Sequence, residues 1–585
     1  HGSARVTIVQ RICTVVVMTA LLFTLPAAGN EGKTHTPIID YRERFLPTAA
    51  RNGMVVAPEK LAAEIGLDIL RRGGNAVDAA VATGFALAVS YPRAGNLAGG
   101  GFMLVHLAEE NRQLLIDYRE MAPAAASRDM FLDQNGEVDR MKEFFSRQAT
   151  GVPGTVAGLL HALDEYGTKS RKEVLAPAVA LARDGIQVSF SLNFELLARA
   201  ERLSMDPEAR RIFFQPNGEP LAMGETLKQT DLAWTLEQIS QSGVAGFYEG
   251  EVAKRIVDDM KANDGLITAR DLAEYQVVER EPVRGQFRDF EVISTPPPSS
   301  GGVHIIQMLN ILQGYDLAAM GHNSATYLHH LTESMKLAYA DRGKYLGDTD
   351  FVDVPVAQLI DPAYAARLRT LIDPNKATPS DQIEPGRKLL PESPDTTHYT
   401  VADRQGNVVS NTYTLNFSYG SHVIVPGTGM FLNNEMADFS ALPGVANAFG
   451  LVQGEPNKIE PRKRPLSSLS PTMVFKEGKP WLATGSPGGS VIITTVLQTV
   501  LNAMEFDMNI ATSATSARIH HQWLPDKLRL ESGISPDTVR LLQQMGHTIE
   551  ESGRTTGRTN SIMLREGWLL GATDTRRPGG WVAAY

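Results

Sequence analysis

The chain has 585 residues, of which 43% are hydrophobic and 21% are charged, so it is long and apolar enough to bury a large core. This composition excludes a globally disordered protein. The formal net charge of −10 at pH 7 argues against a nucleic-acid-binding protein, because contact with phosphates requires a basic surface.

The first 29 residues are predicted to lie outside the fold. His1-Gly2-Ser3 is typical of a cloning remnant, and Arg5 and Arg11 precede an apolar run over residues 12–25. Small residues follow at 26–29, which completes the pattern of a secretory signal peptide. The apolar run is shorter than the roughly 20 residues that span a bilayer. We therefore expect an exported protein with no stable membrane span.

The mature chain is predicted to lack cysteine chemistry and metal. Cys13, the only cysteine, lies in the apolar run of the signal. Its removal excludes disulfides, thiolate catalysis and cysteine-bound metal sites. The adjacent histidines 329–330 and 520–521 should point their side chains apart, so we predict no metal site at either pair. The acidic pair 258–259 fits a solvated helix surface better than an acid–base pair.

The N-terminal half is predicted to be mainly helical around one hairpin. Apolar residues four apart predict a helix over 59–72, and an alanine-rich helix follows over 77–89. A hairpin is predicted over 102–118. Residues 150–280 favour further helices, and a proline-rich loop precedes a helix predicted over 304–312.

The C-terminal part mixes strands and helices in runs. Residues 371–395 are poor in apolar side chains and predict an exposed linker. A hairpin is predicted over 398–415, and further strands over 472–475 and 481–484. An apolar helix should follow over 491–504. Because strands and helices do not alternate strictly, we predict a layered α/β (α+β) fold.

Seven ordered motifs together resemble those of one family. They are Asp117–Pro123, Ser299–Gly302, Thr396–Tyr399, Thr412–Asn416, Leu432–Met436 with Asp438, Pro465–Ser468 and Gly485–Ser490. This set is similar to the γ-glutamyltransferases, also called γ-glutamyl transpeptidases, of the bacterial periplasmic type. The likeness extends from about residue 36 to Tyr585. It implies an αββα four-layer sandwich of the N-terminal-nucleophile hydrolase type, in a periplasmic or secreted protein.

The resemblance implies a proenzyme that cuts itself between Asp395 and Thr396. The products would be a large subunit, residues 30–395, and a small subunit, residues 396–585, which form a heterodimer. A threonine hydroxyl is a weak nucleophile and needs an adjacent base. Once Thr396 is N-terminal, its own amine, with a reference pKa of roughly 7.7–8, can take that proton. Without the other motifs, a threonine at this position would be interpreted as an ordinary loop residue before an edge strand.

The glycine-rich turn 485–490 precedes the predicted apolar helix. Gly488 and Gly489 match the family's oxyanion-hole positions, where backbone N–H groups stabilise a tetrahedral intermediate. A phosphate-binding loop is the competing interpretation. It fails because no lysine precedes Ser490. A plain tight turn remains the simpler alternative.

The resemblance divides the predicted substrate-binding residues into two groups. The α-carboxylate of a glutamyl group is assigned to Arg119, Ser467 and Ser468. The α-ammonium is assigned to Asn416, Glu435 and Asp438. Thr414 matches a residue that hydrogen-bonds the nucleophile. Taken singly, an arginine at a strand end is more often a surface ion pair, and two adjacent serines more often form a turn.

At two positions the residue differs from that of some family members. Position 435 is Gln in some of them and Glu here, so the acceptor role should hold while the charge differs. Residues 440–452 match a lid loop over the pocket. Several relatives carry a gating Tyr where this chain has Phe449. We therefore expect apolar cover without a hydroxyl contact.

The implied activity moves a γ-glutamyl group from glutathione and related γ-glutamyl compounds to water, amino acids or peptides, with no cofactor. A glutaryl-type (cephalosporin) acylase of the same family is the alternative. It needs no ammonium site, so Asn416, Glu435 and Asp438 argue against it. A processed but inactive binding protein is a third possibility, against which Thr396 and the Gly488-Gly489 turn both argue.

Overall fold

The computed structural model describes residues 45–383, 395–551 and 555–585. The predicted signal peptide and residues 384–394 of the predicted linker lie outside these ranges. Within them, no helix is both long and apolar enough to cross a membrane.

Strands and helices alternate in runs along the described chain. The strands are β1 (Thr48–Ala50), β2 (Gly53–Ala57), β3 (Gly100–Leu107), β4 (Arg112–Asp117), β5 (Ile186–Gln187), β6 (Thr226–Leu227), β7 (Val278–Arg280), β8 (Val283–Phe287), β9 (Phe290–Ser294), β10 (Thr397–Asp403), β11 (Val408–Thr414), β12 (Thr472–Lys476), β13 (Lys479–Thr484), β14 (Ile519–His520), β15 (Leu528–Leu530), β16 (Ile549–Glu551), β17 (Asn560–Arg565), β18 (Trp568–Thr573) and β19 (Trp581–Ala584). The helices are α1 (Lys60–Arg71), α2 (Ala76–Ser90), α3 (Arg140–Phe145), α4 (Thr155–Tyr166), α5 (Arg171–Asp184), α6 (Phe190–Leu203), α7 (Pro207–Phe213), α8 (Thr230–Ser242), α9 (Val244–Tyr248), α10 (Glu251–Ala262), α11 (Ala269–Ala273), α12 (Gly301–Leu312), α13 (Leu317–Met320), α14 (Ala325–Tyr345), α15 (Val356–Leu359), α16 (Pro362–Arg369), α17 (Ser380–Ile383), α18 (Ile492–Met504), α19 (Ile510–Thr515) and α20 (Pro536–Gln544).

Two seven-stranded sheets dominate the fold. Sheet 1 has the order β19-β2-β10-β11-β3-β4-β7, and sheet 2 has the order β1-β18-β17-β13-β12-β9-β8. Neighbouring strands are antiparallel throughout sheet 1 and throughout sheet 2. Strands from the two ends of the chain therefore meet in both sheets.

Sheet 1 is buried on both faces, and side-chain alternation assigns each face its own core. Val55 and Met103 point into a core shared with α1, α2, α4, α5 and α8. Val56 and Leu104 point the other way, into a core shared with sheet 2 and with α12, α14 and α18. The resulting order is helices, sheet 1, sheet 2, helices. This confirms the predicted αββα layered fold.

Helix α12 starts earlier than the sequence indicated. It begins at Gly301, not near His304. Two glycines open it because there is no room for a side chain: a Cβ at Gly301 would lie 2.0 Å from Ser470 Oγ, and one at Gly302 would lie 2.3 Å from the Thr295 carbonyl oxygen. Tertiary packing thus overrides the low helix propensity of glycine.

Candidate active site

Thr396 lies immediately before β10, an inner strand of sheet 1. β10 pairs with β2 on one side and with β11 on the other, and the register sets Thr397 opposite Tyr413. Thr396 Oγ1 therefore lies 3.4 Å from Thr414 Oγ1. The Thr414 hydroxyl donates to the Asp395 carbonyl at 3.2 Å and accepts from the Asn416 backbone N–H at 2.8 Å. Strand pairing alone thus brings both hydroxyls to the Asp395–Thr396 bond.

Gly488 and Gly489 form the turn between β13 and α18. Their φ angles are +137° and +57°, in the left-handed region that favours glycine. Gly489 opens a short 3-10 helix that runs directly into α18. N–H groups in a first helical turn have no acceptor within the helix, so they can serve an external oxygen. A Cβ at Gly489 would lie 2.5 Å from the Phe449 ring.

One small cavity collects most of the predicted site residues. Its lining includes Arg119, Thr396, Thr414, Asn416, Glu435, Asp438, Phe449, Ser467, Ser468 and Gly489. Gly488 is adjacent in the chain. The cavity has a volume of about 20 Å³, and a single water needs roughly 10–15 Å³. The cavity in this structure is therefore too small for a substrate the size of an amino acid.

Arg119 is fully buried between carboxylates. Its guanidinium bonds Asp438 Oδ2 at 2.5 Å and also contacts Glu435. Its Nε and Nη2 donate to the backbone carbonyls of Pro465 and Leu466, at 3.2 and 3.3 Å. Those two bonds hold the cation beside the serine pair that follows in sequence.

The carboxylates around Arg119 outnumber it. Burial raises the pKa of Glu120 to about 7, against the lowering effect of Arg119. Burial likewise raises the pKa of Glu435 well above its ordinary value. For Arg119 itself, burial lowers the pKa, but Glu435, Asp438 and Glu120 together raise it above its usual range. Such a cluster favours the arrival of a further positive charge.

Arg342 is a second buried cation of the site, and the sequence analysis missed it. Its Nε donates to Ser300 Oγ at 2.8 Å and its Nη2 to Ser468 Oγ at 3.1 Å. Burial lowers its pKa to about 10. A signal did exist, because Arg342 follows Leu331, Met335 and Ala338 at helical spacing on one face of α14, a helix that is buried on nearly all sides. An arginine on such a face needs a polar partner.

Three buried polar atoms around this cavity have no hydrogen-bond partner within the described residues. They are Glu435 Oε2, Asp438 Oδ1 and Arg342 Nη1. Two are acceptors and one is a donor. Buried polar atoms are rarely left unpaired unless a ligand or water completes them. The set therefore fits a ligand that carries an ammonium group and a carboxylate.

Comparison with known proteins places this chain in one family. A family model described as "Gamma-glutamyltranspeptidase" matches residues 62–584. The chain belongs to the γ-glutamyltranspeptidase family. It is similar to a glutathione hydrolase proenzyme of Escherichia coli strain K12, with 47% identity over 583 residues and coverage of 99% of each chain.

Solved structures agree with this assignment. The crystal structure of a cephalosporin acylase from Bacillus halodurans superposes with a TM-score of 0.82 at 28% identity, covering 95% of this chain and 99% of that one. The Helicobacter pylori gamma-glutamyltranspeptidase gives a TM-score of 0.54 at 46% identity, covering 56% of this chain and 93% of that one. This γ-glutamyltranspeptidase family member is therefore an enzyme with the N-terminal-nucleophile hydrolase fold.

The predicted lid packs over the cavity in this family member. Phe449 is 5% exposed and lies against Gly489. Asn447 Oδ1 accepts from the Phe449 and Leu451 backbone N–H groups, at 2.9 and 3.1 Å. At the far end of the loop, Gln453 Nε2 donates to the Asp438 carbonyl at 3.0 Å. The lid is thus tied to one of the acids that it covers.

One histidine contact was not predicted from sequence. His329 and His330 were predicted to point apart, but their ring centroids lie 5.5 Å from each other in an edge-to-face contact. In addition, His329 Nδ1 lies 2.8 Å from His547 Nε2. Glu333 completes a group whose ligand-type atoms lie within 4.8 Å of one another. Lys336 Nζ already neutralises Glu333 at 2.9 Å, and 2.8 Å between ring nitrogens is a hydrogen-bond distance. We interpret the group as a buried hydrogen-bond network.

Proposed function

We propose that this protein is a self-processing γ-glutamyl transpeptidase and hydrolase with Thr396 as nucleophile. It takes the γ-glutamyl group of glutathione and related amides to water, amino acids or peptides. The observation that carries the proposal is the cavity that joins Thr396 to three unpartnered polar atoms, two acceptors and one donor. A γ-glutamyl group carries the matching ammonium and carboxylate at one end and the scissile amide at the other.

The donor's head group is bound by opposite charges. Arg119, fixed beside the serine pair by its bonds to backbone carbonyls, binds the α-carboxylate with Ser467 and Ser468. Arg342 orients the Ser468 hydroxyl and adds positive potential. The α-ammonium lies against Asn416, Glu435 and Asp438. Charge-assisted bonds to a carboxylate are about twice as strong as neutral ones.

Catalysis then proceeds through an acyl-enzyme. The free Thr396 amine accepts the hydroxyl proton, and Oγ attacks the γ-carbonyl carbon. The N–H groups of Gly488 and Gly489 stabilise the oxyanion, and Thr414 orients the nucleophile. The C–N bond breaks and the leaving amine takes a proton. Water or an acceptor amine then attacks the γ-glutamyl ester and restores the Thr396 hydroxyl.

The same hydroxyl cuts the precursor. Thr396 Oγ attacks the Asp395 carbonyl carbon, its proton passes to the amide nitrogen, and the peptide bond becomes an ester. Water hydrolyses the ester, which releases the Asp395 carboxylate and leaves an N-terminal Thr396. The Thr414 hydroxyl supports this step, since it already donates to that carbonyl.

The two products remain one heterodimer. β10 and β11 of the small subunit lie between β2 and β3 of the large subunit in sheet 1. Separation would break five strand ladders and expose both cores: β2–β10, β3–β11 and β2–β19 in sheet 1, and β1–β18 and β9–β12 in sheet 2. We further propose export to the periplasm or secretion, on the basis of the N-terminal sequence pattern.

The experiment compares wild-type protein with Thr396→Ala. Wild type should give two fragments by mass spectrometry, the smaller starting at Thr396, and should hydrolyse γ-glutamyl amides. Thr396→Ala should remain one inactive chain. Wild-type protein that stays whole and still hydrolyses these amides would overturn the mechanism.

An acylase that cleaves glutaryl-type amides is the second candidate. The likeness to the Bacillus halodurans cephalosporin acylase favours it. The buried acids Glu435 and Asp438 disfavour it, because a glutaryl group offers no ammonium to offset them. Turnover of matched glutaryl and γ-glutamyl anilides decides between the two, and we expect the γ-glutamyl substrate to be preferred.

A further inference from the structure

Asp395, the residue before the predicted cleavage bond, is held in a closed ring of charges. It was predicted to end an exposed linker, yet it is only 2% exposed. Its carboxylate contacts Arg93 and Ser418 and bonds Arg199 Nη2 at 3.0 Å. Glu195 contacts Arg93 and bonds Arg199 Nη1 at 2.9 Å. Two acids and two arginines thus alternate around the ring.

The ring is assembled from separate parts of the chain. Arg93 lies in the loop after α2, and its carbonyl accepts from the Tyr419 N–H at 2.8 Å. Glu195 and Arg199 are one turn apart on α6. Ser418 lies in the loop after β11. No single segment can supply this arrangement, so the ring forms only when the chain is folded.

We propose that this ring positions Asp395 for self-cleavage, so that Arg93, Arg199 and Ser418 select an acidic residue before Thr396. The inference rests on the self-processing proposed above. A hydroxyl can attack the preceding carbonyl only when the backbone torsions between them are held in a reactive orientation. Here the Thr414 hydroxyl fixes the carbonyl of Asp395, and the ring fixes its side chain.

Fixing the carbonyl and the side chain of Asp395 restricts the backbone torsions next to the bond to be cut. Orientation of this kind lowers a barrier without changing the chemical groups, and a misplacement of about 1 Å can cost around 100-fold in rate. Arg93, Arg199 and Ser418 are therefore positioning residues. They touch the side chain of Asp395 and not the reacting carbonyl.

The experiment measures the rate of self-cleavage by pulse-chase in cell-free synthesis of the full chain. The variants are Asp395→Ala, Arg199→Gln and the double variant. We expect each single change to slow cleavage about tenfold or more. The double variant should be no slower than the slower single one, because both changes break the same contact. A merely structural role for Arg199 would instead multiply the two effects.

Arg147→Gln is the matched control. Arg147 is a partly buried arginine like Arg199, with 20% against 23% side-chain exposure, and it pairs with Asp259, not with Asp395. Because Arg147 does not contact Asp395, its loss should leave the cleavage rate close to that of wild type. Arg199 also stays partly exposed on α6, so its replacement by Gln should preserve folding, which the thermal unfolding temperature checks.

The possible outcomes distinguish a failure of the self-processing proposal from a failure of the proposed role of the ring. Wild-type protein that never cuts before Thr396 overturns self-processing, and with it the ring's role. Wild-type protein that cuts while Asp395→Ala cuts equally fast overturns the ring alone. If the two single effects on the cleavage rate multiply in the double variant, the claim that Arg199 acts through Asp395 is also overturned.

Discussion

At the scale of single residues, the arginine and the acids of the cavity should bind different charged groups of the substrate. Arg119→Lys loses the planar fork that binds a carboxylate. Asp438→Asn removes a charge proposed to face the α-ammonium. Loss of one partner of a desolvated charge pair costs about 2–5 kcal/mol, so γ-glutamyl turnover should fall roughly 30-fold or more in each variant. Cleavage before Thr396 should survive both.

Donor analogues distinguish the two roles. A glutaryl anilide lacks the ammonium, so Asp438→Asn should change its turnover little. Arg119→Lys should be milder for a donor whose α-carboxylate is a neutral amide. Equal loss of glutaryl and γ-glutamyl turnover in Asp438→Asn would mean that Asp438 supports the nucleophile or the fold.

Glu120 should make the uncut protein less stable as pH rises. Its side chain is fully buried, and burial raises its pKa from 4.5 to about 7. The folded state therefore binds more protons than the unfolded state between these values, so the group's contribution declines from about pH 4.5 through pH 7.

Glu120→Gln in the Thr396→Ala background tests this sign. The parent should lose about 1–3 kcal/mol of unfolding free energy between pH 5 and pH 8 through this group. The Gln variant should lose less over the same range, as measured by denaturant titration. An equal pH dependence in the two proteins would show that Glu120 is ionised over the whole range and would contradict the raised pKa.

At the scale of elements, the lid should control access of water to the acyl-enzyme. Phe449 covers the cavity through an apolar ring and carries no hydroxyl to latch it. Phe449→Ala should therefore shift the ratio of transfer to hydrolysis, while the unfolding temperature changes less. The ratio is measured with a γ-glutamyl anilide and a dipeptide acceptor. An unchanged ratio would exclude gating by this aromatic ring.

Most elements followed from local sequence, and the exceptions have physical causes. Helix α1 was anticipated from its apolar spacing, and Glu59 caps it by accepting from the Leu61 and Ala62 N–H groups. Helix α12 begins at glycines that tertiary packing requires. A local sequence pattern shows helix propensity and periodicity, but it does not show which distant segment will pack against the helix. A helix start that depends on such packing is therefore missed.

At the scale of the whole molecule, the site combines segments far apart in sequence. Family motifs anticipated ten of the residues that line the cavity. Arg342 and the ring around Asp395 were missed, because ion pairs between distant segments leave no local pattern. Burial of Asp395 was likewise not predicted, since the linker sequence before it is polar and the two arginines that Asp395 contacts lie in distant segments.

The most direct test of the central proposal is the mass of the small subunit, quenched in acid during turnover of a γ-glutamyl donor. We predict a fragment that begins at Thr396 and carries one γ-glutamyl group on that residue. Thr396→Ala should yield neither fragment nor adduct. An adduct on another residue, or turnover by uncut wild-type protein, would contradict the assignment of Thr396 as the nucleophile.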